Sequence, residues 1–449
     1  MRAPGPVPVG EHRAGILAAT PRLPAESRPL AAAHGRFLAA DVTARLPIPA
    51  WDNSAMGGFA VRSADVAAAR PDAPVTLAVV ADVPAGSPLD PPLAPGRAAR
   101  IATGAVLPGD ADAVVALEQT DGVESAITPA ATVRVFAAAP PGAHVRRAGE
   151  DRRAGELVAR AGTKAGATVL AALASAGHGT VLVGRRPRVA VIATGSELVG
   201  PGAAPSRGQV PDANSLLVAG LAREAGAHVV SVTSVSDDVA ALADAVDRAA
   251  GADAVVVTGG VSAGPFDPVK RLFAGSGHVT FATVAMRPGK PQAFGRLPGG
   301  ALLFGLPGNP VSVWVSFHVF VRPALLTMQG AAEAVAVPQR AEAGAAWPAS
   351  PGRTQFVPAR ITGHDGRRIA VPVTARPAAA HTVGSLAAAD GYVIVPPDVE
   401  KVGEGRTVDV VVTGHGPVVV AGDDGAGVAA HGDDDSAAPF LRPNRMGRT

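Results

Sequence analysis

Between residues 187 and 330 the chain alternates two hydrophobic patterns. "RVAVIATG" (188–195), "HVVSVTSV" (228–235), "ADAVVVTGG" (252–260) and "ALLFGLPG" (301–308) are short runs rich in small and β-branched apolar residues. Continuous rather than alternating hydrophobicity marks strands buried on both faces. Between them, "ANSLLVAGLAREAG" and "DVAALADAVDRAAG" carry apolar residues at helical spacing. Each ends on glycine, the usual residue just past a helix C-terminus. Strand–helix alternation predicts a parallel sheet with helices on both faces, whose ligands bind at the carboxyl ends of the strands.

One segment gives two answers. In "NPVSVWVSFHVFVRPAL" the residues Val311, Val313, Val315, Phe317, Val319 and Val321 recur with period two, which predicts a strand. Asn309 as an N-cap and Pro310 at the first helical position predict a helix instead.

The flanks differ in texture, and an α/β multidomain chain is expected. Residues 49–145 hold short β-like pieces broken by Pro and Gly, a β-rich insertion domain. It interrupts a mixed helical domain, 8–48 and 146–186, with helical stretches near 26–39 and 163–176. Residues 187–330 form the α/β domain, and 335–414 a small antiparallel, barrel-like β domain. Residues 415–449, rich in Gly, Asp and Ala, are expected to be a disordered tail.

Composition narrows the function. A chain of 449 residues exceeds the roughly 250–300 at which single cores stop growing. The net charge is +2 with no basic block, so nucleic acid is not an expected partner. The absence of cysteine excludes disulfides, thiolate metal sites and a cysteine nucleophile. The N-terminus lacks a secretory apolar core, and no uninterrupted apolar run approaches about 18 residues. A cytoplasmic protein without membrane contact is expected. Of 40 basic residues only Lys164, Lys270, Lys290 and Lys401 are lysines.

Three glycine-bearing loops follow predicted strands: "ATGSEL" (193–198), "TGGVSAGPFDPVK" (258–270) and "GLPGNP" (305–310). Glycines let backbone N–H groups approach an anion, and a helix starting next adds its positive end. That assembles a phosphate or oxyanion cradle from Thr194, Gly195, Gly259, Gly260, Ser262, Gly264, Pro307, Gly308, Asn309 and Pro310. Glu197, Asp237 and Asp267 fall at or beyond strand ends, where carboxylates can hold Mg²⁺ beside a phosphate. Asp238 fits the N-cap of the following helix, and Glu197 could be a first-turn charge. Arg287 and Lys290 flank a Pro-Gly turn and can face one anion together. His144, His278 and His318 show no metal-ligand spacing and are expected to be structural.

Seven motifs occur in one order: "PAWDNSAMGGFAVR" (49–62), "RIATGAVLPGDADAVV" (100–115), "VRRAGEDRRAGE" (145–156), "TGSEL", "TGGVSAG", "RPGKPQAFG" and "FGLPGNPVS". Together they resemble molybdopterin molybdenumtransferase, the bacterial relative of the gephyrin E domain, over residues 8 to about 413. The resemblance implies an elongated homodimer whose sheet-edge site is closed by the partner's insertion domain. It implies a substrate, adenylated molybdopterin, that is hydrolysed with Mg²⁺ and release of AMP while molybdate enters the dithiolene. Glu197, Asp237, Asp267 and Lys290 would be catalytic, the three acids also holding the metal. Arg287 and the loops would bind the substrate, joined by Asp52, Asn53, Ser54, Thr103 and Asp151 from other domains. Molybdopterin adenylyltransferase and molybdoenzyme apoproteins are the implied partners.

The chain also departs from the family pattern. Gly57, Ser196 and Pro265 stand where the family usually has acids, Phe59 for a tyrosine, Pro268 for an aromatic residue, and Arg287 for a lysine. Two functional readings follow: metal insertion, or a degenerate paralogue that binds or carries molybdopterin without it. Adenylation of molybdopterin is a third, disfavoured because that smaller family lacks these flanking domains.

Overall fold

Six strands make the central sheet: β1 (Arg188–Thr194), β2 (His228–Val235), β3 (Ala254–Thr258), β4 (Val279–Thr283), β5 (Pro291–Arg296) and β6 (Leu302–Leu306). They lie in the order β2-β1-β3-β6-β5-β4. The first four pair in parallel, and β5 and β4 extend the sheet antiparallel, turning back through residues 284–290. These features come from a computed structural model that describes residues 5–122, 131–261, 267–364, 367–374 and 381–414. The predicted tail, 415–449, lies outside the described residues.

Alternate residues of the parallel strands enter two different cores. Val189, Val191, Ala254, Val256, Leu302 and Phe304 pack with Val218 and Leu221 of α1 (Asn214–Glu224) and with the long helix over residues 310–328. Ala190, Ile192, Val255, Val257 and Leu303 pack with Leu242 and Ala245 of α2 (Val239–Arg248) and Val269 and Phe273 of α3 (Pro268–Phe273). A sheet dry on both faces needs apolar residues at every position, which is why these strands show no alternation.

The segment with two answers is helical. α4 runs Pro310–Met328, with Asn309 at the N-cap position, Pro310 at N1 and a π turn at Phe317–Val321. Asn309 makes no side-chain cap bond. A helix walled in on all sides has no polar face, so its helical period vanishes from the sequence. By length and mean hydropathy it could cross a membrane, although Ser312, Ser316, His318 and Arg322 interrupt its apolar run. With 89% of its apolar window buried inside the protein, it is a core helix.

The helix expected near 26–39 does not form. Ala25–Pro29 is a strand paired antiparallel with Thr180–Gly184, followed by one 3₁₀ turn at Leu30–Ala32. Pro29 and Gly35 bracket too few residues for alanine's helix propensity to compete with pairing. The helix near 163–176 is present at Ala167–Ser175, and an unpredicted one spans Val9–Ala19. Arg185 meets Asp253 through two bonds, 2.7 and 3.0 Å, tying this region to the start of β3.

Residues 53–135 hold a five-stranded sheet built from 58–61, 75–83, 97–101, 113–116 and 132–135. In the C-terminal region Gln339–Ala343, Thr354–His364, Arg367–Pro372, Gly391–Val395 and Thr407–Val412 close into a barrel. It is not wholly antiparallel, since Glu342 and Ala343 pair in parallel with Ile369 and Ala370. The barrel leans on α4 through an aromatic cluster. His318 lies 4.7 Å from Trp314 and 6.3 Å from Tyr392 between ring centroids.

Both ring nitrogens of His318 are buried without a hydrogen-bond partner among the described residues. Burial, and secondarily the charge of Arg322, pushes its pKa down from 6.5 to about 3. The unfolded chain therefore binds a proton that the fold refuses, and stability falls as pH drops through the window from 6.5 to about 3. The slope from this group is at most about 1.4 kcal/mol per pH unit. Urea denaturation across that window should show a falling midpoint in the unaltered protein and a shallower fall in His318→Phe. Equal slopes would remove His318 as the cause.

Candidate active site

The carboxyl ends of β1, β3 and β6 open on a cavity of about 650 Å³. Thr194 ends β1, Gly195 and Glu197 come from the loop after it, Asp237 from the loop after β2, and Gly259, Gly260 and Asp267 from the loop after β3. Arg287 and Lys290 enter from the turn between β4 and β5, and Pro307, Gly308 and Asn309 from the loop after β6. Segments more than a hundred residues apart thus meet because parallel strands share one end.

Glycine is required at particular points. Gly259 has φ +87°, and a Cβ there would lie 2.5 Å from the Thr194 carbonyl oxygen. Gly260, at φ +66°, would press a Cβ onto Val269 and Pro268 at 3.0–3.1 Å. The glycines thus let the β3 loop pass against the end of β1. Gly308 is different, for a Cβ there meets nothing nearer than 3.6 Å.

The acids are held in distinct ways. Asp237 accepts from the Ser196 amide at 3.2 Å, while Ser196 Oγ accepts from the Asp237 amide at 3.1 Å, a reciprocal clasp between two loops. Asp238 accepts from Ala240 and Ala241 N–H and caps α2, as expected. Asp267 occupies the N-cap position of α3 without making a cap bond, and its Oδ2 is buried with no partner among the described residues. Glu197 folds back over Gly195. It is not a first-turn charge, because residues 198–199 form a short strand and α1 starts only at Asn214. For the same reason no helix end supports the first glycine loop.

Arg287 Nη1 donates to Ser350 Oγ at 2.6 Å, and Met286–Arg287 pairs in parallel with Thr354–Gln355, so the barrel fixes this side of the cavity. Lys270 sits exposed on α3 and does not line the cavity. Pro310 begins α4 and is likewise not in the lining. Ser262 and Gly264 lie outside the described residues. Among the described residues no three acids or histidines gather closely enough to hold a metal ion by themselves.

Asp52, Asn53, Ser54, Thr103 and Asp151 do not reach this cavity within one chain. Asn53–Ser54 pairs with Val145–Arg146, and Asp52 accepts from Ala148 N–H at 2.7 Å and Arg147 at 2.6 Å. The Ala148 bond first, then the Arg147 guanidinium, hold the Asp52 carboxyl below its usual range. Ser54 O accepts from Gly104 N–H, bringing Thr103 beside the same knot. Asp151 is exposed next to Arg152 at 3.5 Å.

Three family models match the chain: the MoeA N-terminal region (domain I and II) over 7–177, the probable molybdopterin binding domain over 190–327, and the MoeA C-terminal region (domain IV) over 340–413. Molybdopterin molybdenumtransferase 2 of Mycobacterium tuberculosis is 41% identical over 390 residues, 85% of this chain and 93% of its own. The chain belongs to the molybdopterin molybdenumtransferase family. The Bacillus subtilis member is 34% identical, with 84% and 87% covered. A solved MoeA protein from Pyrococcus horikoshii shares the fold at a TM-score of 0.75, with 31% identity and 91% and 99% covered.

Sequence reasoning missed two polar residues of this molybdenumtransferase-family cavity, Asn214 and Ser312, besides apolar and glycine positions such as Leu198, Val261 and Gly289. Asn214 is the first residue of α1, with Ala213 at the N-cap position. Its bond to Gly308 O, at 2.7 Å, spans 94 residues and leaves no local signal.

The glycine geometry predicts unequal tolerance. Gly259→Ala should lower stability by about 2 kcal/mol or more, combining positive φ with a backbone clash. Gly308→Ala should stay within about 0.5 kcal/mol. Urea denaturation of the pair checks this, and similar midpoints would show that the β3 loop relaxes freely.

Proposed function

We propose that this protein inserts molybdate into adenylated molybdopterin with release of AMP, a step in molybdenum cofactor biosynthesis. The carrying observation is the convergence of Arg287, Lys290 and the glycine loops with Glu197, Asp237 and Asp267 around one cavity. Such a cavity suits a ligand that is strongly anionic yet also needs a hard cation.

The donor set fits Mg²⁺. Carboxylate oxygens are its preferred protein ligands, usually one or two alongside waters and substrate phosphates. Asp267 Oδ2, buried and unpartnered, has the character of such a ligand. Without a three-ligand cluster, the ion would draw its remaining ligands from the substrate. When bound, it would neutralise charge on the phosphates.

The chain's own groups account for the rest. Gly195 and Gly259 already donate their amides to Val235 O and Leu306 O, so the backbone N–H groups of Gly260, Gly308 and Asn309 would hold the oxyanions. Lys290 and Arg287 would balance phosphate and molybdate, Arg287 already oriented by Ser350. Glu197 and Asp267 would orient the water that cleaves the phosphoanhydride bond, giving AMP as leaving group and freeing the pterin side for molybdate.

A homodimer would bring the knot of Asp52, Asn53, Ser54 and Thr103, with Asp151, over a neighbouring chain's cavity. In the cytoplasm, molybdopterin adenylyltransferase would supply the substrate and molybdoenzyme apoproteins would take the product.

The full-length protein with adenylated molybdopterin, Mg²⁺ and molybdate should release AMP in a molybdate-dependent manner. Asp267→Asn should lower kcat by roughly a hundredfold. A Cβ at Gly57 meets only Thr103 Oγ1, at 4.0 Å, so Gly57→Asp should fold normally and raise turnover. Tight pterin binding with no AMP would replace this reading with the carrier.

A further inference from the structure

Resting on that functional reading, we infer that Asn214 is a specificity residue, its Oδ1 accepting a hydrogen bond from an N–H or O–H group of the substrate. The Asn214 amide can be oriented because Gly308 O is an acceptor, so the group facing it at 2.7 Å must be Nδ2. Oδ1 is then left buried with no partner among the described residues, although the side chain lines the cavity. A buried acceptor left unmet costs about 1–3 kcal/mol, so a donor arriving with the ligand recovers that cost.

The residue is held rigidly enough to discriminate. Asp212, 4% exposed, accepts from Ser215 N–H at 3.0 Å, from Ser215 Oγ, and from Ser234 Oγ at 2.5 Å. This network locks the first turn of α1 and joins it to β2, so Asn214 cannot turn away. Nearly everything else proposed to grip the ligand selects for negative charge. Asn214 Oδ1 selects for a neutral donor, which molybdate or a bare phosphoanhydride does not supply. Two parts of the substrate carry such donors, the pterin ring and the nucleoside.

Titration of the full-length protein with adenosine, 6-hydroxymethylpterin and molybdate separates these sources. The first two are uncharged and bear donors from the two halves of the substrate, while molybdate near neutral pH has no proton to give. Asn214→Ala should weaken one of the uncharged probes by about fivefold to tenfold and leave molybdate within about twofold. The loop keeps other anchors, Val313 N–H on Asn309 O and Gly259 N–H on Leu306 O, each 3.0 Å. Asn214→Asp, which keeps an acceptor, should bind the affected probe better than the alanine variant while weakening molybdate through repulsion. Denaturation midpoints establish that both variants are folded. Unchanged binding of both uncharged probes in Asn214→Ala overturns the assignment, as does an equal loss for all ligands, the signature of a loop tether alone. If the unaltered protein binds none of the probes, the functional reading itself falls and this inference with it.

Discussion

The whole arrangement depends on one constraint: a sheet dry on both faces must be roofed on both sides. Roofing strands that run in parallel forces each connection to cross back over the sheet, so every strand reaches the same rim before its chain turns. Val189 and Val191 face one roof, Ala190 and Ile192 the other. Burial of each such side chain is worth about 1.5–3 kcal/mol, far more than the local preference of any single loop residue. Core packing therefore decides where Thr194, Gly259 and Pro307 arrive, and the chemistry inherits that position.

The rim is not left to the sheet alone. The turn carrying Arg287 pairs with the first residues of a barrel strand, and Ser350 takes up the guanidinium. A cation on a free turn would sample many rotamers and lose entropy on meeting an anion. Here that loss is met during folding, through a domain that contributes backbone pairing rather than a wall of charge. The same barrel presses Tyr392 onto Trp314 and His318 of α4, the helix that begins at the Pro307–Asn309 turn. One docking surface thus steadies two sides of the cavity.

Much of this was legible in the sequence where local pattern and burial agree. The four parallel strands, α1 and α2, the Asp238 cap and the meeting of the glycine loops followed from continuous hydrophobicity and end signals. Legibility failed where distant parts decide. Residues 26–39 are alanine-rich, yet pairing with Thr180–Gly184 prevails. α4 lost its periodicity because it is walled in on every side. Asn214 drew no notice because its partner, Gly308, lies 94 positions away. The motif resemblance supplied the five residues of the insertion and flanking segments, which the single chain keeps in a separate knot.

Ser196, at a position where the motif resemblance leads one to expect an acid, has a definite electrostatic role. An acid at this position would stand beside Asp237, two carboxylates competing for the same amides, and only a nearby cation would relieve their repulsion. With serine, the hydroxyl accepts the Asp237 amide while the Ser196 amide serves the carboxylate, and the two loops close on each other without an ion. The clasp costs Asp237 part of its capacity, since one oxygen is already engaged. Asp267 differs, for its Oδ2 has no partner among the described residues. The loops after β1 and β2 are thus held together by the protein's own hydrogen bonds, made before any ligand arrives.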